Sequence, residues 1–223
     1  MKRVLVVVGP TAVGKSKISI ELAKYLNCDI ISGDSVSVYK CLDIGSAKPT
    51  KEEMANVKHY LIDIKEPTDQ YSVCDFQRDA RKIIDENDLS IICGGTGLYI
   101  QSVLFNYEFK AKSRDKDFES KYFGYSNDEL FELLLRKDPT IDKTKLHPNN
   151  RKRVLRALEV LESLDRSISS FNKKNEKMYD YFIVYLSMPR EKLYERINMR
   201  VDEMIKAGLL DEVKSLYDKG ITP

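Results

Sequence analysis

The chain has 223 residues, 42% hydrophobic and 32% charged, and its 37 Lys and Arg balance 35 Asp and Glu to a net charge of +2. This is the composition of a globular protein with a core large enough to stand without disulfide staples. It excludes a disordered tail, a membrane-spanning bundle and a histone-like polycation. Any nucleic-acid footprint must then come from local clustering of charge. The four cysteines, Cys28, Cys41, Cys74 and Cys93, form no CxxC pair, and only His59 and His147 could add imidazole ligands. Neither a structural zinc site nor a redox dithiol is expected, and the thiols read as small buried groups of a reducing compartment.

The apolar run over residues 3–8 predicts a parallel strand covered on both faces. It is too short for a signal h-region, so the protein is expected in the cytoplasm with no membrane association. A glycine-rich turn follows, and apolar residues at Ile18, Leu22 and Leu26 predict a helix over 15–26. Strands are predicted over 29–32, 59–64 and 90–93, with helices over 72–86 and 98–104. From about Asn106 to Asp180 the strand signals vanish. Charged helical segments over 127–137 and 150–164 replace them, bounded by Asp138-Pro139 and His147-Pro148. A strand returns over 181–186, and helices over 189–206 and 209–219 are separated by Gly208. The fold class is α/β, a P-loop NTPase-like parallel sheet with helices on both faces and a helical insertion domain. Residues 1–109 form the first part of the core, 110–180 the insertion, and 181–223 the return to the core, which is expected to be cut short at its C-terminal end.

Gly9-Pro10-Thr11-Ala12-Val13-Gly14-Lys15-Ser16 fits GxxxxGK[ST] in the strand–loop–helix context that the motif requires. Its glycines let successive backbone N–H groups converge on phosphate oxygens. The following helix start adds about half a positive charge, Lys15 a point charge and Ser16 a hydroxyl for Mg²⁺. The octet therefore reads as a diphosphate- or nucleotide-binding cradle. The usual strand-end Asp of an NTPase is missing, because the strand over 90–93 runs into Gly94-Gly95-Thr96-Gly97. Asp34 stands just after the second strand instead. Ligands of open α/β sheets sit at the carboxyl ends of the strands, so Gly9, Asp34 and Thr96 should converge. Asp34 could act as a general base, as a metal ligand through water, or only as a cap. Thr96 could be a plain helix N-cap or a hydroxyl that meets phosphate or substrate.

The predicted insertion carries a second signature, His147-Pro148-Asn149-Asn150-Arg151-Lys152-Arg153-Val154-Leu155-Arg156. Residues 143–177 hold ten Lys or Arg against four Asp or Glu, a local net of +6, whereas 49–90 hold six against ten, a net of −4. The basic helix could track a nucleic-acid backbone or be a solvated charged face. Arg196 and Arg200, four apart on one helix face, could clamp a leaving pyrophosphate or sit in surface salt bridges. Tyr122-Phe123-Gly124-Tyr125 could stack a base or fill a core.

In this order, GPTAVGKS, SGDSVSVYKCLDIGSAKP, HYLIDIKEPTDQYSVCDFQRDA, GGTGLY and HPNNRKRVLRALEV resemble the tRNA dimethylallyltransferases, or tRNA isopentenyltransferases, over nearly the whole chain. The resemblance implies transfer of a dimethylallyl group from dimethylallyl diphosphate to N6 of the adenosine immediately 3′ of a tRNA anticodon, by a monomer that uses Mg²⁺. On the family pattern Asp34 matches the base that accepts the N6 proton, and Thr96 a hydroxyl contacting the substrates. Lys15 and Ser16 with Mg²⁺ stabilise the departing diphosphate, met also by Arg200 or Arg196. Asp34, Ser35, Val36 and Ser37 match tRNA-contacting positions, as do Thr96 and the stretch Lys152, Arg153, Val154, Leu155, Arg156. Arg114 is matched to a substrate-contacting arginine of the family's insertion, and family chains continue past Pro223. An adenylate isopentenyltransferase and a small-molecule P-loop kinase are the rival readings, and both leave the basic helix unexplained.

Overall fold

The computed structural model describes residues 1–107, 116–164 and 176–221. Its five strands are β1 (Arg3–Val8), β2 (Asp29–Ser32), β3 (His59–Tyr60), β4 (Leu89–Cys93) and β5 (Asp180–Tyr185). All pairs are parallel, in the order β3-β2-β4-β1-β5, with Val4 opposite Ser90 on one side of β1 and Tyr181 on the other. Alternate side chains of a strand leave by opposite faces. Val4, Val6, Ile31 and Ile92 thus pack with α3 (Val73–Glu86) and α4 (Gly97–Leu104), through Phe76, Ala80, Ile84, Ile100 and Val103. Val7, Ile30 and Ile91 pack with Ile20 and Ala23 of α1 (Lys15–Leu26) on the other face. Each such fully buried branched or aromatic side chain contributes roughly 1.5–3 kcal/mol. The doubly covered α/β sheet expected from the sequence is present, with α8 (Arg190–Lys206) and α9 (Leu209–Asp218) following β5.

Two local differences have physical causes. The strand predicted over 59–64 stops at Tyr60, because Leu61 and Asp63 take left-handed φ values of 61° and 55°. The chain then turns toward the 36–40 segment, where Ile64 and Lys65 donate backbone hydrogen bonds to the Val38 carbonyl. The sequence reading also has no counterpart for α2 (Lys51–Met54), a four-residue helix held by a capping box between Thr50 and Glu53.

The described residues gather into two compact units, Met1–Phe105 with the chain from Lys177 onward, and Asn106–Glu176. The joins fall at 105/106 and 176/177 rather than at 109/110 and 180/181. Phe105 and Lys177 face each other in an antiparallel bridge, and buried Tyr179 donates its hydroxyl to Asp85, which anchors 177–180 to the sheet unit. The second unit contains α5 (Lys116–Ser120), α6 (Asn127–Lys137) and α7 (Arg151–Leu164) around its own core of Leu130, Leu134, Val154 and Leu158. Short α5 is a further element with no counterpart in the sequence reading.

Candidate active site

The P-loop takes its shape from two glycines. Gly9 has φ 152°, and a Cβ there would strike the Leu186 carbonyl, so β1 can end against β5 only with glycine. Gly14, at φ 101°, turns the chain into α1 without a side-chain cap. No acidic residue occupies the first turn of α1, which leaves its positive end open toward an anion. The Lys15 ammonium folds back to donate to the carbonyls of Gly9 (3.0 Å) and Pro10 (2.9 Å). Burial lowers its pKa; Cys93 and Asp34 oppose that shift, and Arg200 adds to it. Val13 is buried and anchors the loop, while Thr11, Ala12, Gly14, Lys15 and Ser16 line the open space above it.

Asp34 and Thr96 come to this place through a backbone contact. Gly33 N donates to the Cys93 carbonyl at 2.8 Å, and a Cβ on Gly94 would strike the Gly33 carbonyl. The turns after β2 and β4 therefore touch main chain to main chain, an approach that only glycine permits. Asp34 Oδ1 accepts from the backbone N–H groups of Val36 (2.8 Å) and Ser37 (3.2 Å), which fixes the carboxylate within its turn. Thr96 is the N-cap of α4 by position, but its hydroxyl makes no capping bond, so the plain-cap alternative is not what its side chain does. Ser37 is buried at the wall, Val36 is exposed, and Ser35 is half-buried in the same turn.

Two adjoining clefts of about 1330 and 390 Å³ open here in the sheet unit, and Gly94 and Gly95 line the smaller one, whereas Thr96 and Ser35 line neither. Lys15, Ser16 and Arg200 face both, Asp34 faces the smaller and Arg196 the larger. Among the described residues neither arginine pairs with a carboxylate, so the salt-bridge alternative for them is not realised. The loop from Asp43 to Pro49 forms a further wall; these residues belong to a motif that carries the resemblance, but no role for them is expected from it. Lys48 organises it. Its side chain is only 4% exposed and donates to the Tyr39 carbonyl (2.8 Å) and to the carboxylates of Asp43 and Asp63 (2.5 Å each). Burial by itself would lower the Lys48 pKa, and the two carboxylates outweigh it and leave it raised. No cluster of His, Cys, Asp or Glu among the described residues forms a metal cage. The exposed Ser16 hydroxyl beside Lys15 suits a Mg²⁺ ion that takes its other ligands from phosphate and water.

In the second unit Lys152 and Arg153 are exposed on the first turn of α7. Val154 and Leu155, expected within a tRNA-contacting stretch, are 0% and 5% exposed in the unit's core, so their side chains are not on that surface. Arg156 donates to Glu159 at 2.7 Å. Arg151 is structural, holding the carbonyls of Tyr122 (2.7 Å) and Tyr125 (2.6 Å). Those bonds split the aromatic segment, since Tyr122 is buried with its hydroxyl on Glu162 whereas Phe123 is 90% exposed. Arg114 lies outside the described residues.

A sequence model described as IPP transferase matches residues 37–223. The tRNA dimethylallyltransferase of Bacillus licheniformis is 47% identical over 228 residues, spanning 98% of this chain and 72% of that protein. That of Anoxybacillus flavithermus is 47% identical over 226 residues, 99% of this chain and 72% of its own length. Among solved structures, the full-length tRNA isopentenylpyrophosphate transferase from Bacillus halodurans is 42% identical. It superposes at TM-score 0.69 over 99% of this chain and 72% of its own. A eukaryotic dimethylallyltransferase acting on tRNA gives TM-score 0.84 at 30% identity over 98% of this chain and 56% of that one.

Proposed function

The chain belongs to the IPP transferase family, and from that premise we propose that it transfers the dimethylallyl group of dimethylallyl diphosphate to N6 of the adenosine 3′ to a tRNA anticodon. The bond between C1 of the prenyl group and the diphosphate oxygen breaks as the bond from N6 to C1 forms. The electron pair leaves with the diphosphate, and one N6 proton passes to the Asp34 carboxylate, a transfer worth about 10²–10⁴-fold in rate. Lys15, the open end of α1 and Arg200, with Arg196 beside it, receive the negative charge of the leaving group. Mg²⁺ held by Ser16 and the diphosphate would neutralise part of that charge. Thr96, one residue beyond the Gly94-Gly95 lining of the smaller cleft and free of any side-chain capping bond, carries the hydroxyl we assign to the substrates.

One observation supports this reading above the others. The turn carrying Asp34 touches the turn before Thr96 through Gly33 and Gly94, and both adjoin the P-loop. A proton acceptor and a diphosphate cradle thereby share one cleft, and β4 runs into Gly94-Gly95-Thr96 rather than into the carboxylate that an NTP-hydrolysing site would use. Lys152, Arg153 and Arg156 supply a cationic track for the RNA backbone, and a target adenine must leave the anticodon-loop stack to reach a closed site. We place the enzyme in the cytoplasm as a monomer; among the described residues no helix is long and apolar enough to cross a membrane.

The test is incubation with Mg²⁺, labelled dimethylallyl diphosphate and an unmodified anticodon stem-loop, with AMP and ATP as controls. Label in the stem-loop is the expected result. Label in AMP instead would move the assignment to an adenylate isopentenyltransferase, and phosphate transfer from ATP would move it to a kinase.

A further inference from the structure

We propose that Glu212 is a positioning residue for the diphosphate cleft, a carboxylate that latches the 43–48 wall to the helix pair carrying Arg200. Glu212 lies in the first turn of α9, and its carboxylate accepts three successive backbone N–H bonds. Oε2 takes Asp43 N at 2.9 Å and Ile44 N at 2.8 Å, and Oε1 takes Gly45 N at 3.0 Å. Consecutive amides curled around one negative group form an anion-binding nest. Here the anion belongs to the same chain, 167 to 169 residues further along.

The fit is close. A Cβ on Gly45 would lie 3.3 Å from Leu209 Cδ1 and 3.4 Å from Glu212 Oε1, so the start of α9 packs closely against this loop. The same loop is gripped at its other end by Lys48; Ala47, between the grips, and Cys41, just before them, hold left-handed φ values of 49° and 60°. Non-glycine residues keep such conformations only where their surroundings enforce them. The wall lines both clefts, and α8, which brings Arg196 and Arg200 to the larger one, turns into α9 at Gly208 with φ 97°. Glu212 thus fixes the spacing between the wall and the arginines. It touches neither the P-loop nor the Asp34 turn in any hydrogen bond among the described residues.

The inference rests on the reading of this cleft as the prenyl diphosphate site, and its test separates the two. Glu212→Gln keeps the size of the side chain but replaces one acceptor by an amide donor; Glu212→Asp keeps the charge on a shorter arm. In the Gln variant the amides of residues 43–45 should exchange with solvent about tenfold faster while those of β1 and β4 are unchanged. KM for dimethylallyl diphosphate should rise about tenfold, with kcat within about threefold and KM for the stem-loop unchanged, the pattern of lost ground-state binding. The Asp variant should recover part of both effects. Unaltered exchange at 43–45 would overturn the latch. So would a fall in kcat accompanied by a matching rise in KM for the stem-loop, the mark of general loosening. Faster exchange in an enzyme whose wild type transfers no prenyl group would keep the latch and remove the substrate assigned to the cleft.

Discussion

Asp34 does two things with one carboxylate. Oδ1 shapes the 34–37 turn by accepting two backbone bonds, and the charge as a whole is assigned to the departing proton. Glycine replacement or truncation would disturb both roles, whereas Asp34→Asn keeps an acceptor for Val36 and Ser37 and removes only the base. That variant should lower the single-turnover transfer rate by about 10²–10⁴-fold and leave stem-loop binding within about tenfold, roughly 1.4 kcal/mol. Equal losses in rate and binding would reduce Asp34 to a turn former. The residue is legible in the sequence because the ends of parallel strands mark the ligand crevice. Glu212 is not legible there, since its partners are main-chain amides more than 160 residues away and no spacing rule connects a helix start to a distant loop. Lys48 falls between these cases: it lies in a quoted motif, but its burial against two carboxylates depends on the left-handed bends at 61 and 63.

Helix α7 shows how one element can carry two programmes. Val154, Leu155, Leu158 and Leu161 recur at helical spacing and face the core of the second unit, while Lys152 and Arg153 point outward from the first turn. That apolar stripe was available in the sequence, and it separates the exposed basic side chains from the buried ones more sharply than the contiguous match from Lys152 to Arg156 does. Replacing Lys152 and Arg153 together by alanine should weaken stem-loop binding and flatten the slope of log K against log salt by about 1 to 2. Measuring affinity between low and physiological salt checks this, and an unchanged slope would return the helix to a solvated surface. The strands and long helices were legible because their periodicities are sustained. Short α2 and α5, and the early end of β3, were not, since they are set by caps and left-handed residues that average composition hides.

At the scale of the molecule, the two units have separate hydrophobic cores. Leu158 is completely buried in the second core, and Leu158→Ala there should cost about 2–5 kcal/mol. The expected outcome is loss of amide protection confined to α6 and α7, with stem-loop binding abolished and dimethylallyl diphosphate binding retained. Parallel loss of protection in β1 and β4 would show that the units unfold as one. The division into two units was legible from the disappearance of strand signals after about residue 106, although the joins themselves depend on the Phe105–Lys177 bridge. The pairing of β1 with β5 also sets an order of events on the ribosome. The first strand synthesised gains its second neighbour, and Gly9 meets the Leu186 carbonyl, only after the whole second unit has emerged. At roughly 5–20 residues per second, translation of the intervening 80 or so residues lasts about 4–16 s. Throughout that interval the nascent phosphate cradle has one flank open, and it closes only when the helical unit has left the exit tunnel and β5 follows it.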